Sequence, residues 1–340
     1  MVSIIIPYRN DSDTIYGVLN NLVLNYNTGD DIEIIVVNDG SKAPNNTFMP
    51  LHFDMKPVRV VNNSIARGVG YSIDRGVEVA QGDVIVIMGA DVYPEKDWYK
   101  KVVEAVSSNP NNIGCAVSVG LTPDDHDMNN IEKKTKRYGA NLLVTISVDD
   151  LPANSKIRQD RPDYTAIFEG QWAKEKKSDS PYPISCLMGA FYFTSKAHYQ
   201  HIHGWDTEIT NKYVGHRNWG SLEPYISLKS YLAGGGCVLY PNILAGHIFG
   251  RIGHRQRFEK GVRSLSDHWW NRLFILETMV LEYKPREMIY CFIKPELNYN
   301  MARSTMTKDN YGVKLVRERN RAMFTRDFST FCKEFNVVIK

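Results

Sequence analysis

Three short runs constrain this chain most: residues 2–6, 32–37 and 83–88. Each is apolar and rich in β-branched side chains, and each runs straight into a polar turn. A strand with one wet face alternates apolar and polar residues. A strand without that alternation is covered on both faces, which is the habit of a parallel sheet flanked by helices. The intervening sequence supplies the helices. Ile15, Val18, Leu19, Leu22 and Val23 fall at helical spacing within 14–25. Residues 69–80 predict a second helix with Gly82 as a stop, and 98–107 a third. Runs at 58–61 and 113–119 add two strands. The expected class is α/β, a Rossmann-like, mostly parallel sheet with helices on both faces.

Bulk properties narrow the classes further. At 340 residues, 43% hydrophobic and 23% charged, the chain can bury a sizeable core and is neither disordered nor fibrous. No apolar run approaches the roughly 20 residues that span a bilayer, so no transmembrane segment is expected. The first strand has no basic segment or cleavage site ahead of it. Five scattered cysteines without a Cys-x-x-Cys pair argue against a zinc or redox centre. Together these predict a reduced, cytoplasmic protein (host-cell cytoplasm for a viral chain).

Residues 122–183 read as a polar, irregular insertion over one face. Order is expected again at 185–194, in a helix at 222–232 and in a strand at 237–240. From 264 onward the pattern is helical. A boundary near 250–265 divides the chain into a domain at 1–255 and a helix-rich, basic extension at 256–340. Residues 251–340 hold 18 Lys and Arg against 10 Asp and Glu; the other 250 hold 23 against 28. That asymmetry points either to an anionic partner or to a solvated helical surface.

Ligands of a parallel sheet collect beyond the carboxyl ends of its strands. The loops at 7–10, 38–41, 62–67 and 89–92 should therefore share one crevice. Pro7, Tyr8, Asn10, Asp39, Arg67, Gly89, Ala90 and Asp91 become candidate binding residues. Each acid has a plainer role open to it: Asp39 as a turn residue before Gly40, and Asp91 as a helix cap ahead of Pro94. Later in the chain, Gly189-Ala190, Trp219-Gly220-Ser221-Leu222-Glu223-Pro224, Gly246-His247-Ile248-Phe249 and Arg251 stand out. Glu223 before Pro224 could simply cap a helix. His198, His201 and His203 sit away from oxygen ligands and read as packing or surface residues.

These motifs, with Val36-Val37-Asn38-Asp39-Gly40-Ser41 and Gly89-Ala90-Asp91, resemble metal-dependent glycosyltransferases of the GT-A type. The likeness is to the family-2 enzymes and the polypeptide GalNAc-transferases, and it covers about residues 1–255. It implies a GT-A fold and a nucleotide-sugar donor, UDP-linked if Asp39 accepts from a uracil imide. It implies Mn2+ (or Mg2+) held by Asp91 and His247, and a donor sugar bordered by Gly189, Ala190 and Trp219. Arg251 would lie in a loop closing over the phosphates. Glu223 stands where inverting members carry a base, so inversion is expected over retention. The family's Asp-x-Asp has lost its first acid here. A degenerate protein that binds sugar nucleotide or glycan without turnover is therefore the alternative. Expected acceptors are a glycan or lipid-linked saccharide, a hydroxymethylated DNA base, or a protein hydroxyl. The first would bring the basic region to a membrane. The second would bring Arg303, Lys308, Lys314, Arg317, Arg319 and Arg321 to phosphates.

Overall fold

The structure, a computed structural model, describes the chain except residues 11, 25–30, 43–51, 54–55, 123–127, 129–130, 152, 154–155, 161, 177, 210–211, 214, 219, 250–264 and 309. The strands are β1 (Val2–Tyr8), β2 (Ile32–Asp39), β3 (His52–Phe53), β4 (Lys56–Asn63), β5 (Val84–Met88), β6 (Val92–Pro94), β7 (Asn112–Leu121) and β8 (Lys136–Arg137). They continue with β9 (Ala140–Ser147), β10 (Thr165–Trp172), β11 (Tyr182–Ile184), β12 (Phe191–Ser195), β13 (Glu208–Ile209), β14 (Lys212–Tyr213) and β15 (Gly236–Ile248). The first helices are α1 (Ser12–Leu24), α2 (Val69–Val79), α3 (Trp98–Ser108), α4 (Lys156–Asp160), α5 (Lys196–His201) and α6 (Leu222–Leu232). After the undescribed stretch come α7 (Leu265–Met279), α8 (Tyr283–Phe292), α9 (Leu297–Lys308), α10 (Asn310–Met323) and α11 (Phe328–Glu334).

The central sheet runs β11-β15-β7-β12-β5-β1-β2-β4-β3, with β6 added to β15 and β8 to β7. The β5-β1-β2-β4 ribbon is parallel, as is β15 with β7. Antiparallel β12 sits between β5 and β7, which makes the sheet mixed. Strand alternation sorts the core. Ile4 and Ile6 of β1 face α1 and α3, with Ile15, Val18, Leu19, Trp98 and Val102. Ile5 faces the other way, into a cluster with Ile73 and Val77 of α2, Tyr225 of α6 and Trp270 and Phe274 of α7. Each of these fully buried side chains contributes about 1.5–3 kcal/mol through its lost apolar surface.

Two expectations need correction. Residues 122–183 are not irregular throughout: β9 and β10 form an antiparallel hairpin, with Thr165 opposite Ser147 and Trp172 opposite Ala140. Its inward set, Ala140, Leu142, Val144 and Ile146, is a period-two pattern legible in the sequence. Nor does Glu223 cap α6. Ser221 is the cap, and Glu223 lies in the first turn.

The boundary expected near 250–265 falls almost wholly outside the described residues. The helices beyond it share a hydrophobic cluster with α2 and α6, through Trp269, Trp270, Val316 and Phe331 among others. Among the described residues, no helix is long and apolar enough to cross a membrane.

Candidate functional site

The parallel ribbon ends its strands on one rim, and two clusters form there. The first joins the loops after β1, β2 and β4. Asp39, 4% exposed, closes β2 opposite Asn63. Its Oδ1 accepts from the Arg67 N–H at 2.8 Å and from Asn63 Nδ2 at 3.1 Å, and its Oδ2 accepts from the Gly68 N–H at 2.8 Å. The carboxylate thus clamps the 63–68 loop at the start of α2. Asn10, in the left-handed region at φ 51°, ties the next loops together. Its N–H donates to Ser41 Oγ at 3.0 Å, and its Oδ1 accepts from the Lys42 N–H at 2.9 Å. Pro7 and Tyr8 pair with Val37 and Asn38 below this rim. The Arg67 guanidinium lies 4.9 Å over the Tyr71 ring.

The second cluster is built by β6. This three-residue strand pairs with β15, setting Val92 against His247, and the Ile248 N–H donates to the Asp91 carbonyl at 3.1 Å. Asp91, just before β6, and His247, near the end of β15, are therefore forced together. His247 Nε2 stands 3.4 Å from Asp91 Oδ1, with the side chains 19% and 20% exposed. Asp91 precedes a strand, so its alternative role as a helix cap is not what the fold uses. Gly89 stands where the first acid is missing, and it is closely packed: a Cβ there would meet Asp91 Oδ1 at 2.7 Å, Val92 Cγ2 at 3.2 Å and Ala190 Cβ at 3.3 Å, so a side chain would require Asp91 to shift.

The Gly89 N–H donates to the Ala190 carbonyl at 2.9 Å, which brings the Gly189-Ala190 turn to the same rim. Both turn residues have positive φ, 114° and 60°. At Gly189 a Cβ would also meet Ser118 at 2.9 Å, so only glycine suits the position. The Ala190 N–H donates to the Tyr192 hydroxyl at 3.0 Å, and that hydroxyl donates to Glu223 Oε1 at 3.1 Å. Burial raises the Glu223 carboxyl above its ordinary 4.5; the helix backbone and Tyr192 pull it back, Glu169 pushes it up and His247 lowers it. Glu223 is thus a part-buried carboxylate within the electrostatic reach of His247.

Trp219 and Arg251 lie outside the described residues. The loop around Trp219 is nevertheless held from an unexpected quarter. Asn271 of α7, fully buried, accepts from the Arg217 N–H at 2.7 Å. It donates to the carbonyls of Arg217 at 2.8 Å and Gly220 at 2.9 Å. Trp270 Nε1 donates to the Gly215 carbonyl at 2.9 Å, and the Arg217 guanidinium sits 3.4 Å over the Trp270 ring. Arg272 pairs with Glu169 of β10. Sequence reading missed Tyr192, Asn271, Arg272 and Glu169. Only the turn from basic to Trp-rich sequence at 267–272 hinted at the α7 contribution.

A metal can be tested against this site. Two bonds of about 2.0–2.1 Å at right angles place their donor atoms about 3 Å apart. The Asp91–His247 separation is close to that, and a carboxylate with an imidazole suits manganese. Among the described residues, His247 Nδ1 is buried with no hydrogen-bond partner. Among the described residues no set of three His, Cys, Asp or Glu side chains could hold an ion, so a ligand must complete the shell. The His198 group fits packing: His198 bonds Ser230 Oγ at 2.8 Å, and burial lowers it to about 4. Of the six cations named in the basic region, three are engaged internally: Arg303 and Arg317 with Glu277, and Arg319 with Asp206.

Residues 3–160, just under half the chain, match the family model for Glycosyl transferase family 2. The chain is 30% identical over 117 residues to Glucosyl-dolichyl phosphate glucuronosyltransferase of Haloferax volcanii, covering 34% of this chain and 35% of that protein. It is 21% identical over 249 residues to human Polypeptide N-acetylgalactosaminyltransferase 14, covering 73% and 40%. It spans 30–40% of the length of the curated relatives it matches. Among solved structures it resembles GalNAc-T7 with UDP, GalNAc and Mn2+, with a TM-score of 0.64 at 15% identity, covering 98% of this chain and 56% of that one. It also resembles S. aureus TarS 1-349 in complex with UDP-GlcNAc, with a TM-score of 0.50 at 13% identity, covering 96% and 93%. At these identities the likeness is one of fold, and the fold is GT-A-like.

Proposed function

We propose that this chain, which carries a family 2 glycosyltransferase domain, moves a sugar from a UDP donor to a saccharide hydroxyl with inversion. The observation that carries the reading is the meeting of Asp91 and His247 beside Glu223, on the rim where the sheet delivers its loops. Asp91 and His247 would hold Mn2+ (or Mg2+), which, when bound, supplies positive charge to the departing diphosphate. The Gly189-Ala190 turn lets backbone approach the donor sugar. Pro7, Tyr8, Asn10 and Arg67 would line the nucleotide end, where Asp39 sets the loop and accepts from the base. Trp219 and Arg251 would close the site.

Glu223 does the proton chemistry. The acceptor oxygen forms a bond to the anomeric carbon as the bond to the diphosphate oxygen breaks, and the hydroxyl proton passes to the Glu223 carboxylate. Tyr192 holds Oε1 by its hydroxyl, which orients the carboxylate. The raised pKa makes Glu223 a better proton acceptor than an exposed carboxylate. A saccharide acceptor is favoured over DNA because half of the named tail cations already serve internal carboxylates.

The test is a thermal-shift screen of nucleotide sugars with and without manganese, followed by UDP-release assays. A ligand at about 100 times its Kd adds about 2.7 kcal/mol of stability. The reading expects that gain only with metal and UDP-type ligands, together with slow UDP release from the stabilising donor. Binding without any release would favour the degenerate binding protein instead.

A further inference from the structure

Three segments far apart in sequence meet beside the metal pair, and none of them is used by the transfer chemistry above. Arg137 stands in two-residue β8, held to the sheet rim by pairing with Ser118 of β7. Its guanidinium carbon lies 4.2 Å over the Phe249 ring and 5.0 Å over the Trp172 ring. Phe249 follows β15, and Trp172 ends the β9–β10 hairpin. Among the described residues no carboxylate pairs with Arg137.

The two rings tie this guanidinium to the crevice. Phe249 stands edge-on to His247 with centroids 4.2 Å apart. Trp172 comes within 3.7 Å of the Cβ position at Gly189. The cation is therefore one ring away from the metal pair and one ring away from the sugar-bordering turn. The two rings stand at 78° to each other, so they wall the guanidinium on two sides, and contact with aromatic faces does not use up its N–H donors. A fork held this way matches the two oxygens of a carboxylate or phosphate. The Arg137 guanidinium and the His247 imidazole thus share Phe249 as a neighbour.

We propose that Arg137, with Trp172 and Phe249, forms a second anion subsite that reads a carboxylate or phosphate carried on a sugar ring, distinct from the donor diphosphate. The inference rests on the sugar-transfer reading of the same crevice. The anion belongs either to the donor sugar or to the acceptor, and the two sources separate by experiment.

Calorimetric titration with manganese present supplies the test. In the donor arm the probes are UDP, UDP-glucose and UDP-glucuronate. In the acceptor arm they are methyl glucoside, methyl glucuronoside and glucose 6-phosphate, added to UDP-loaded protein. The wild type is expected to favour a charged member at least tenfold in one arm. Arg137→Ala and the better-packing Arg137→Met should both erase that preference and leave UDP affinity within twofold. Arg137→Lys should restore only part of it. Equal affinity for charged and neutral probes in both arms overturns the subsite, and so does a preference that survives Arg137→Met. Loss of UDP binding in Arg137→Met assigns the residue to the diphosphate and also overturns it. If wild-type protein shows no manganese-dependent UDP binding, the donor reading fails; the charged-versus-neutral comparison on the free protein then decides the subsite separately.

Discussion

The two ends of the crevice rim are built on opposite principles. At the β1–β2–β4 end, the two residues that tie the loops are matched within the chain: both oxygens of Asp39 serve N–H donors of the neighbouring loop, and Asn10 bridges to Ser41 and Lys42, although Arg9 Nε is buried without a partner among the described residues. At the β5–β6–β15 end, chemistry is held in reserve. An imidazole faces a carboxylate at 3.4 Å, its Nδ1 has no partner among the described residues, and a part-buried carboxylate sits above its ordinary pKa. A buried polar group left unmatched is costly, so such groups gather where a ligand will satisfy them. On the proposed reading the first end holds the nucleotide and the second carries the chemistry.

Substitutions should split along that line. The largest kinetic effect is expected at the reactive end. Glu223→Gln should lower kcat roughly 10²–10⁴-fold while the Kd for UDP with manganese stays unchanged, as single-turnover rates and calorimetry would show. A normal rate would remove Glu223 as the base.

The nucleotide end should respond in stability and in UDP affinity rather than in the chemical step. Asp39→Ala removes three hydrogen bonds from a buried carboxylate and should cost about 2–4 kcal/mol in denaturant unfolding. A fall in kcat at saturating donor without loss of stability there would break the contrast between the two ends.

Asn271→Ala, remote from both ends, should cost about 1–3 kcal/mol and lower kcat more than UDP affinity, since it frees the 217–220 loop. An unchanged kcat would detach α7 from the site.

The smallest effect is a shift in pH. Glu223 works ionised, so activity falls as pH drops through its raised pKa, and the acid limb of the kcat profile should lie above 4.5. The Tyr192 hydrogen bond lowers that pKa, so Tyr192→Phe should move the limb to still higher pH. A shift to lower pH would contradict the assigned contact.

What the sequence made legible follows the same divide between local and distant causes. The buried strands announced themselves by continuous apolar runs. Asp39, Asp91 and His247 could be found because each sits in a short motif beside a strand. Gly89 looked like a lost acid, and only the structure shows how closely Asp91, Val92 and Ala190 pack around it. Tyr192 was hidden because it faces Glu223 only through the register of antiparallel β12. Asn271 and Arg272 carry no motif, and only the packing of α7 against α6 and β10 brings them to the loop. Arg137 and Trp172 depend on a hairpin whose alternating residues were masked by polar flanks.

The central claim is that Asp91 and His247 grip one cation together. The most direct measurement is the manganese-dependent gain in UDP affinity for wild type, Asp91→Ala, His247→Ala and the double variant. If one ion needs both groups, each single change removes nearly the whole gain and the double change adds nothing further. If each single variant keeps part of the gain and the losses add in the double variant, the two residues do not share an ion and the account is wrong.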